Sequence, residues 1–188
     1  MTITREASRS AVTGLLAVAA GAAMLASAAI AGTVTQERLL NSEAEPENWI
    51  HHHGNYETHR YSSLSQINKD SIGDLVVKWT YGMGDQRGGG ADPVKFRSSG
   101  LEGTPLAEDG YVYVTTGWGR VSKLDARGNR GALVWEYDPE ADKDWAPSVL
   151  CCGINNRGVA LGGDMVFSKV IDGRVIALNK NDGSLIWE

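Results

Sequence analysis

Asp109-Gly110-Tyr111-Val112-Tyr113-Val114, Gly119-Arg120-Val121-Ser122-Lys123-Leu124-Asp125 and Gly131-Ala132-Leu133-Val134-Trp135 each open at a glycine and then run into β-branched and aromatic residues. The same order returns in Gly163-Asp164-Met165-Val166-Phe167-Ser168, Asp172-Gly173-Arg174-Val175-Ile176-Ala177-Leu178 and Gly183-Ser184-Leu185-Ile186-Trp187. Glycine supplies the turn and the bulky residues favour the pleat, so each set reads as strand, turn, strand, turn, strand. The glycine-to-tryptophan step is four residues both times, and Trp135 and Trp187 stand 52 residues apart. Upstream, Leu75-Val76-Val77-Lys78-Trp79 supplies an earlier closing strand, 56 residues before Trp135. A period in the fifties with several strands per unit is the mark of a β-propeller blade, whose small sheet must stack on neighbours to bury both faces. A β-sandwich made from the same strands is the alternative. A ring takes at least about four blades, so two units imply the front end of a longer protein.

Composition agrees with an all-β chain. The 188 residues are 42% hydrophobic and carry 23 Gly and 6 Trp. Arg5 and Arg9 precede an uncharged, alanine-rich stretch from Ala11 to Gly32, with small-residue cleavage patterns at Ala26-Ser27-Ala28 and Ala29-Ile30-Ala31. Residues 1–31 therefore read as a secretory signal peptide, and residues 32–188 as an incomplete propeller domain. A retained membrane anchor is the alternative, since the stretch is long enough to span a bilayer but only weakly apolar. No cysteine lies near the cleavage region, which excludes a lipoprotein anchor. Without its leader the chain remains acidic, which argues against nucleic acid or an anionic membrane as partner.

The only two cysteines, Cys151 and Cys152, are adjacent in Leu150-Cys151-Cys152-Gly153-Ile154-Asn155-Asn156-Arg157-Gly158. Neighbouring Cα atoms lie about 3.8 Å apart, below the roughly 4.4–6.8 Å usual for disulfides, so a bridge between them is strained. It closes no loop and adds no chain restraint. A stiff sulfur surface for a planar ligand is a better use of it; a pair of buried free thiols is the bland alternative. Export to an oxidising compartment favours the bridge.

Trp49, the run Arg60-Tyr61-Ser62-Ser63-Leu64-Ser65-Gln66-Ile67-Asn68, Glu102-Gly103-Thr104-Pro105-Leu106, Cys151-Cys152 with Asn156-Arg157-Gly158-Val159-Ala160, and Asp172-Gly173-Arg174-Val175-Ile176-Ala177-Leu178 together resemble the quinoprotein alcohol dehydrogenases. The resemblance covers residues from about Val34 to Glu188. It implies an eight-bladed propeller of four-stranded, tryptophan-marked sheets in a periplasmic enzyme that oxidises alcohols to aldehydes, passing hydride to pyrroloquinoline quinone. It further implies that Cys151 and Cys152, joined to each other, lie against one face of the quinone, that Arg157 binds its carboxylates, and that Glu102 is the other polar contact. Two anions cannot share a dry site unless one is protonated or a cation bridges them, and Arg157 is the bridge at hand. In such enzymes a calcium or lanthanide ion acts as Lewis acid on the quinone carbonyl and an aspartate takes the alcohol proton. Those ligands and that base are expected beyond Glu188, so no catalytic base and no metal ligand is assigned here. A cytochrome c or a quinone is the expected electron acceptor.

Several positions depart from the family pattern: Gly153 where aspartate is usual, Asn155 where an aliphatic residue is usual, and Gly103 for alanine. They leave the substrate open, a sugar or polyol being one alternative and a non-catalytic propeller scaffold another. Other motifs are weak. The side chains of His51, His52 and His53 diverge along an extended chain, and Gly82, Gly84 and Gly88 have the wrong spacing for a dinucleotide loop. No Cys-x-x-Cys-His haem motif is present in these residues.

Overall fold

The computed structural model describes residues 32–84, 101–150 and 153–188. Residues 1–31, read as a leader, the glycine-rich segment 85–100 and the cysteines Cys151 and Cys152 lie outside them. Two four-stranded antiparallel meanders dominate. The first comprises β1 (Leu106–Glu108), β2 (Tyr111–Thr115), β3 (Val121–Asp125) and β4 (Ala132–Tyr137), and the second β5 (Ala160–Gly162), β6 (Met165–Lys169), β7 (Val175–Asn179) and β8 (Leu185–Trp187), each in sequence order. The repeat thus holds four strands where its sequence displays three. The members missing from that local pattern, β1 and β5, are three residues long and carry no closing tryptophan, while the four-stranded sheet is what the family resemblance implied.

The two sheets repeat in register as well as in order. Lys123 pairs with Trp135 and Leu124 with Leu133, skipping one residue; Ala177 pairs with Trp187 and Leu178 with Leu185, skipping one residue at the same place. Val121, Ser122, Lys123 and Leu124 are all buried, as are Ile176, Ala177 and Leu178, so β3 and β7 run through the core. Strands buried on both faces lose the polar/apolar alternation of a half-exposed strand.

The tryptophan of one unit explains the glycine of the next. Trp135 lies over Gly183 of the second sheet, where a Cβ would come within 2.7 Å of its ring, and its Nε1–H donates to Lys180 O at 3.1 Å. Trp79 covers Gly131 in the same way, with no room for a Cβ. Each glycine is the receptor for the tryptophan of the preceding unit. Burying such a ring supplies roughly 4–6 kcal/mol of transfer free energy as an upper bound. Leu75–Trp79 itself is not a strand: it has no partner strand among the described residues, and Leu75, Val76 and Val77 are exposed. A lone extended segment has no ladder to complete.

The chain before β1 straps both sheets. Val34 bridges Gly163 and Trp49 bridges Ala107, each through two backbone hydrogen bonds. Between them runs α1 (Gln36–Leu40), capped by the Thr35 hydroxyl, which accepts from Arg38 N. Arg38 grips Glu45 with two nitrogens at 2.8 and 2.6 Å and reaches Glu108 of β1 at 2.9 Å. Glu108 also accepts from Lys180 of the second sheet at 2.9 Å, both side chains being only 2% exposed. One carboxylate therefore ties the leading segment to both blades.

Candidate functional site

Glu102 and Arg157 precede the first strands of their respective sheets and meet through the backbone. Thr104 N donates to Arg157 O at 3.0 Å, forming a parallel bridge between Thr104 and Gly158. Gly158 is obligatory there: its φ is +115°, and a Cβ would lie 2.7 Å from Thr104 O. The bridge sets the two side chains beside each other, and Arg157 Nη1 donates to Glu102 Oε2 at 2.9 Å. The cation expected to offset Glu102 is thus in contact with it. The pair is open to solvent, with Arg157 69% and Glu102 38% exposed, so it is an accessible feature and not a buried staple.

An open depression surrounds the pair. Trp49, His52, His53, Arg60 and Thr104 line it together with Glu102 and Arg157. Two guanidinium groups face one carboxylate, leaving an excess of positive charge. His52 Nε2 is 2.8 Å from Val159 O; because a carbonyl only accepts, Nε2 carries the proton. His51 turns away and packs on Tyr56, with ring centroids 4.5 Å apart. Burial, reinforced by the neighbouring His52 and His53, holds its pKa below the usual histidine value. Among the described residues no group of three or more His, Cys, Asp and Glu side chains is disposed to hold a metal ion.

The structure therefore brings together two of the four residues singled out from sequence, Glu102 and Arg157; Cys151 and Cys152 lie outside the described residues. Sequence reasoning set the histidines aside and assigned nothing to Arg60, although His52, His53 and Arg60 line the same depression. The signal was there in part, since the Trp49 and Arg60 runs belong to the family resemblance. Asn155, one of the departures, has its Oδ1 buried without a hydrogen-bond partner among the described residues.

Comparison with known proteins identifies the family of the chain. Residues 49–188 match the family described as PQQ: glucose/ethanol/alcohol dehydrogenase, β-propeller domain. The dehydrogenase subunit of a quinone alcohol dehydrogenase from Gluconacetobacter polyoxogenes is 35% identical over 97% of this chain and 23% of its own length. The quinohemoprotein alcohol dehydrogenase ADH IIB of Pseudomonas putida is 36% identical over 85% of the chain and 21% of its own. Among solved structures, a quinohemoprotein alcohol dehydrogenase of Pseudomonas putida superposes with a TM-score of 0.71 at 35% identity, covering 82% of this chain and 20% of that one. A europium-containing methanol dehydrogenase gives 0.68 at 32% identity, covering 80% and 24%. The chain thus spans less than a quarter of the length of these two relatives and of both solved structures. The two tryptophan-closed blades, their shared register and the match over residues 49–188 place this chain in the PQQ-dependent glucose/ethanol/alcohol dehydrogenase β-propeller family.

Proposed function

We propose that this chain forms the first blades of an exported propeller and builds one wall of its pyrroloquinoline quinone site, in an enzyme that oxidises alcohols. The observation that carries the reading is the Arg157–Glu102 pair at 2.9 Å, held by a backbone bridge in an open depression with surplus positive charge. The residues fit the cofactor's chemistry. A planar ligand bearing carboxylates is met by guanidinium forks at Arg157 and Arg60, and a fork can take a carboxylate through two parallel charge-assisted hydrogen bonds. When bound, the quinone accepts the hydride of an alcohol. The work of this chain is binding and orientation: Arg157 offsets the negative charge of both Glu102 and the cofactor, and Cys151 and Cys152, six and five residues before it in sequence, would cover one face as a vicinal disulfide. The metal ligands and the base belong to the remaining blades, as does the contact with a cytochrome c or quinone acceptor. Names of relatives support the class of reaction, since those compared are alcohol dehydrogenases that use a quinone. The leader 1–31 supports delivery to the periplasm.

The test is titration of the full-length apo-protein with pyrroloquinoline quinone. Truncating one partner of a buried charge pair costs about 2–5 kcal/mol, or about 30-fold to several thousand-fold in affinity. The exposure of Arg157 puts Arg157→Ala at about 30-fold, the low end of that range. Arg157→Lys keeps the charge but loses the fork and falls between. Parent-like affinity in Arg157→Ala would overturn the assignment. A parent protein that binds no quinone would leave a scaffold as the function.

A further inference from the structure

Asn156, the neighbour of Arg157, is only 3% exposed, and its amide is committed on both sides. Nδ2 donates to Lys169 O at 2.8 Å and lies 3.4 Å from Ser168 Oγ; Oδ1 accepts from Gly158 N at 2.9 Å and from Thr115 Oγ1 at 3.3 Å. Lys169 ends β6 and Thr115 ends β2, so one side chain fastens the segment carrying Arg157 to equivalent points of both blades. The Thr115 hydroxyl also lies against Gly103, the residue that follows Glu102 in the chain. A Cβ on Gly103, next to Glu102, would lie 2.9 Å from Thr115 Oγ1 and 3.4 Å from Asn156 O and Gly158 N.

From this geometry we infer that Thr115 and Asn156 are positioning residues for the Glu102–Arg157 pair, and that glycine at position 103 is what the Thr115 hydroxyl requires. The inference rests on the reading that Arg157 and Glu102 face the quinone, and it explains a departure that the sequence left unexplained. An alanine at 103 pushes the hydroxyl off its bond to Asn156. Asn156 then keeps Gly158 and Lys169 but loses its side-chain tie to the first blade, which leaves the Thr104–Gly158 backbone bridge alone to hold Arg157 beside Glu102. Gly103→Ala and Thr115→Ala therefore act through the same hydrogen bond.

Full-length apo-protein carrying Gly103→Ala, Thr115→Ala, both together, and each in an Arg157→Ala background is titrated with pyrroloquinoline quinone, and the melting temperature of each is recorded. Each single substitution is expected to weaken binding about 3- to 10-fold, the range of one neutral hydrogen bond. The double variant should be no weaker than the weaker single, because once the Thr115 hydroxyl is gone the Cβ at 103 keeps only its 3.4 Å approaches to Asn156 O and Gly158 N. In the Arg157→Ala background neither substitution should weaken binding further, since no guanidinium remains to be aimed; a purely structural defect carries its loss into that background too. Additive losses, equal losses with and without Arg157, or parent-like affinity in both singles while Arg157→Ala binds weakly would each overturn the positioning role. Parent-like affinity in Arg157→Ala instead overturns the cofactor reading, and the positioning role falls with it.

Discussion

Glu108→Ala removes the one carboxylate shared by the leading segment and both blades, and its cost can be worked from the geometry. Lys180 and Glu108 are each 2% exposed, and among the described residues Lys180 Nζ retains only Gly32 O, at 3.1 Å, when the carboxylate goes. Arg38 suffers less, because Glu45 still holds it at two nitrogens. Lys123 aggravates the loss: its pKa is already lowered by burial first and by Lys180 second, with Glu108 acting in the opposite direction. Removing Glu108 leaves the two ammonium groups without their nearer counter-charge, Asp109 acting more weakly on Lys123. Breaking a buried pair by deleting one partner costs about 3–5 kcal/mol, which is about 100- to 4,000-fold in an opening equilibrium. Native-state hydrogen exchange reads that directly and needs no two-state unfolding. The amides to follow are Val34 and Gly163, bonded to each other's carbonyls, and Leu39 and Asn41 in and after α1. Glu108→Gln combined with Lys180→Met should restore most of the protection, since replacing both charges leaves none unpaired. Less than a tenfold change in Glu108→Ala, or a double variant as exposed as the single, would refute the view that this carboxylate fastens the strap.

Gly183→Ala places a Cβ 2.7 Å from the Trp135 ring at a residue whose φ is +75°, so it should destabilise by about 1–3 kcal/mol, read as a lower urea midpoint; an unchanged midpoint would deny that the tryptophan needs that glycine. Acid should destabilise the fold. Arg38 lowers the pKa of Glu45, Arg174 that of Asp172, and Arg127 brings Asp125 down to about 2, from ordinary values of 4.5 for Glu and 3.8 for Asp. A carboxylate more acidic folded than unfolded contributes fully above the unfolded value and loses that contribution as pH falls through the folded one. The urea midpoint should therefore fall from the mid-4s toward pH 2, and a midpoint rising through that window would contradict these pairings. For Cys151 and Cys152, thiol titration of aerobically purified exported protein should find no free thiol and a mass about 2 Da below the reduced form; two reactive thiols would sink the vicinal bridge.

What was legible in the sequence followed from local chemistry repeated. The step from Gly131 to Trp135 and from Gly183 to Trp187 encodes a contact, tryptophan of one unit on glycine of the next, so it shows in the residues themselves. The short strands β1 and β5 escaped because neither has the glycine-to-tryptophan step that marks β8, itself three residues long, and Leu75–Trp79 reads as a strand by propensity yet has no partner among the described residues. Strand pairing is a property of neighbours, and propensity alone does not supply one. In the site, Glu102 and Arg157 were legible through the family motifs. Arg157 was expected to offset Glu102, but the means was not legible, because it is a parallel bridge between residues far apart in the chain. Asn156 and Thr115 were invisible for the same reason: a buried amide linking two blades has no local signature.

The repeat also says why the site lies where it does. Glu102 stands four residues before β1 and Arg157 three before β5, so both occupy the segment that leads into the first strand of a blade. Thr115 and Lys169, which Asn156 joins, are the last residues of β2 and β6, the strands antiparallel to those first strands. The entry segment of each blade therefore arrives at the same end of the sheet at which its second strand finishes. Stacking the blades brings successive entry segments side by side, and their side chains need not be close in sequence to act together. Loops gathered at one end of a rigid scaffold can change in chemistry without disturbing the strands beneath. The tryptophan contacts fix how each blade sits on the next, and that spacing in turn brings Arg157 within 2.9 Å of Glu102. A substitution that shifts Trp135 on Gly183 is thus expected to reach the site through blade spacing, without touching any residue that lines it.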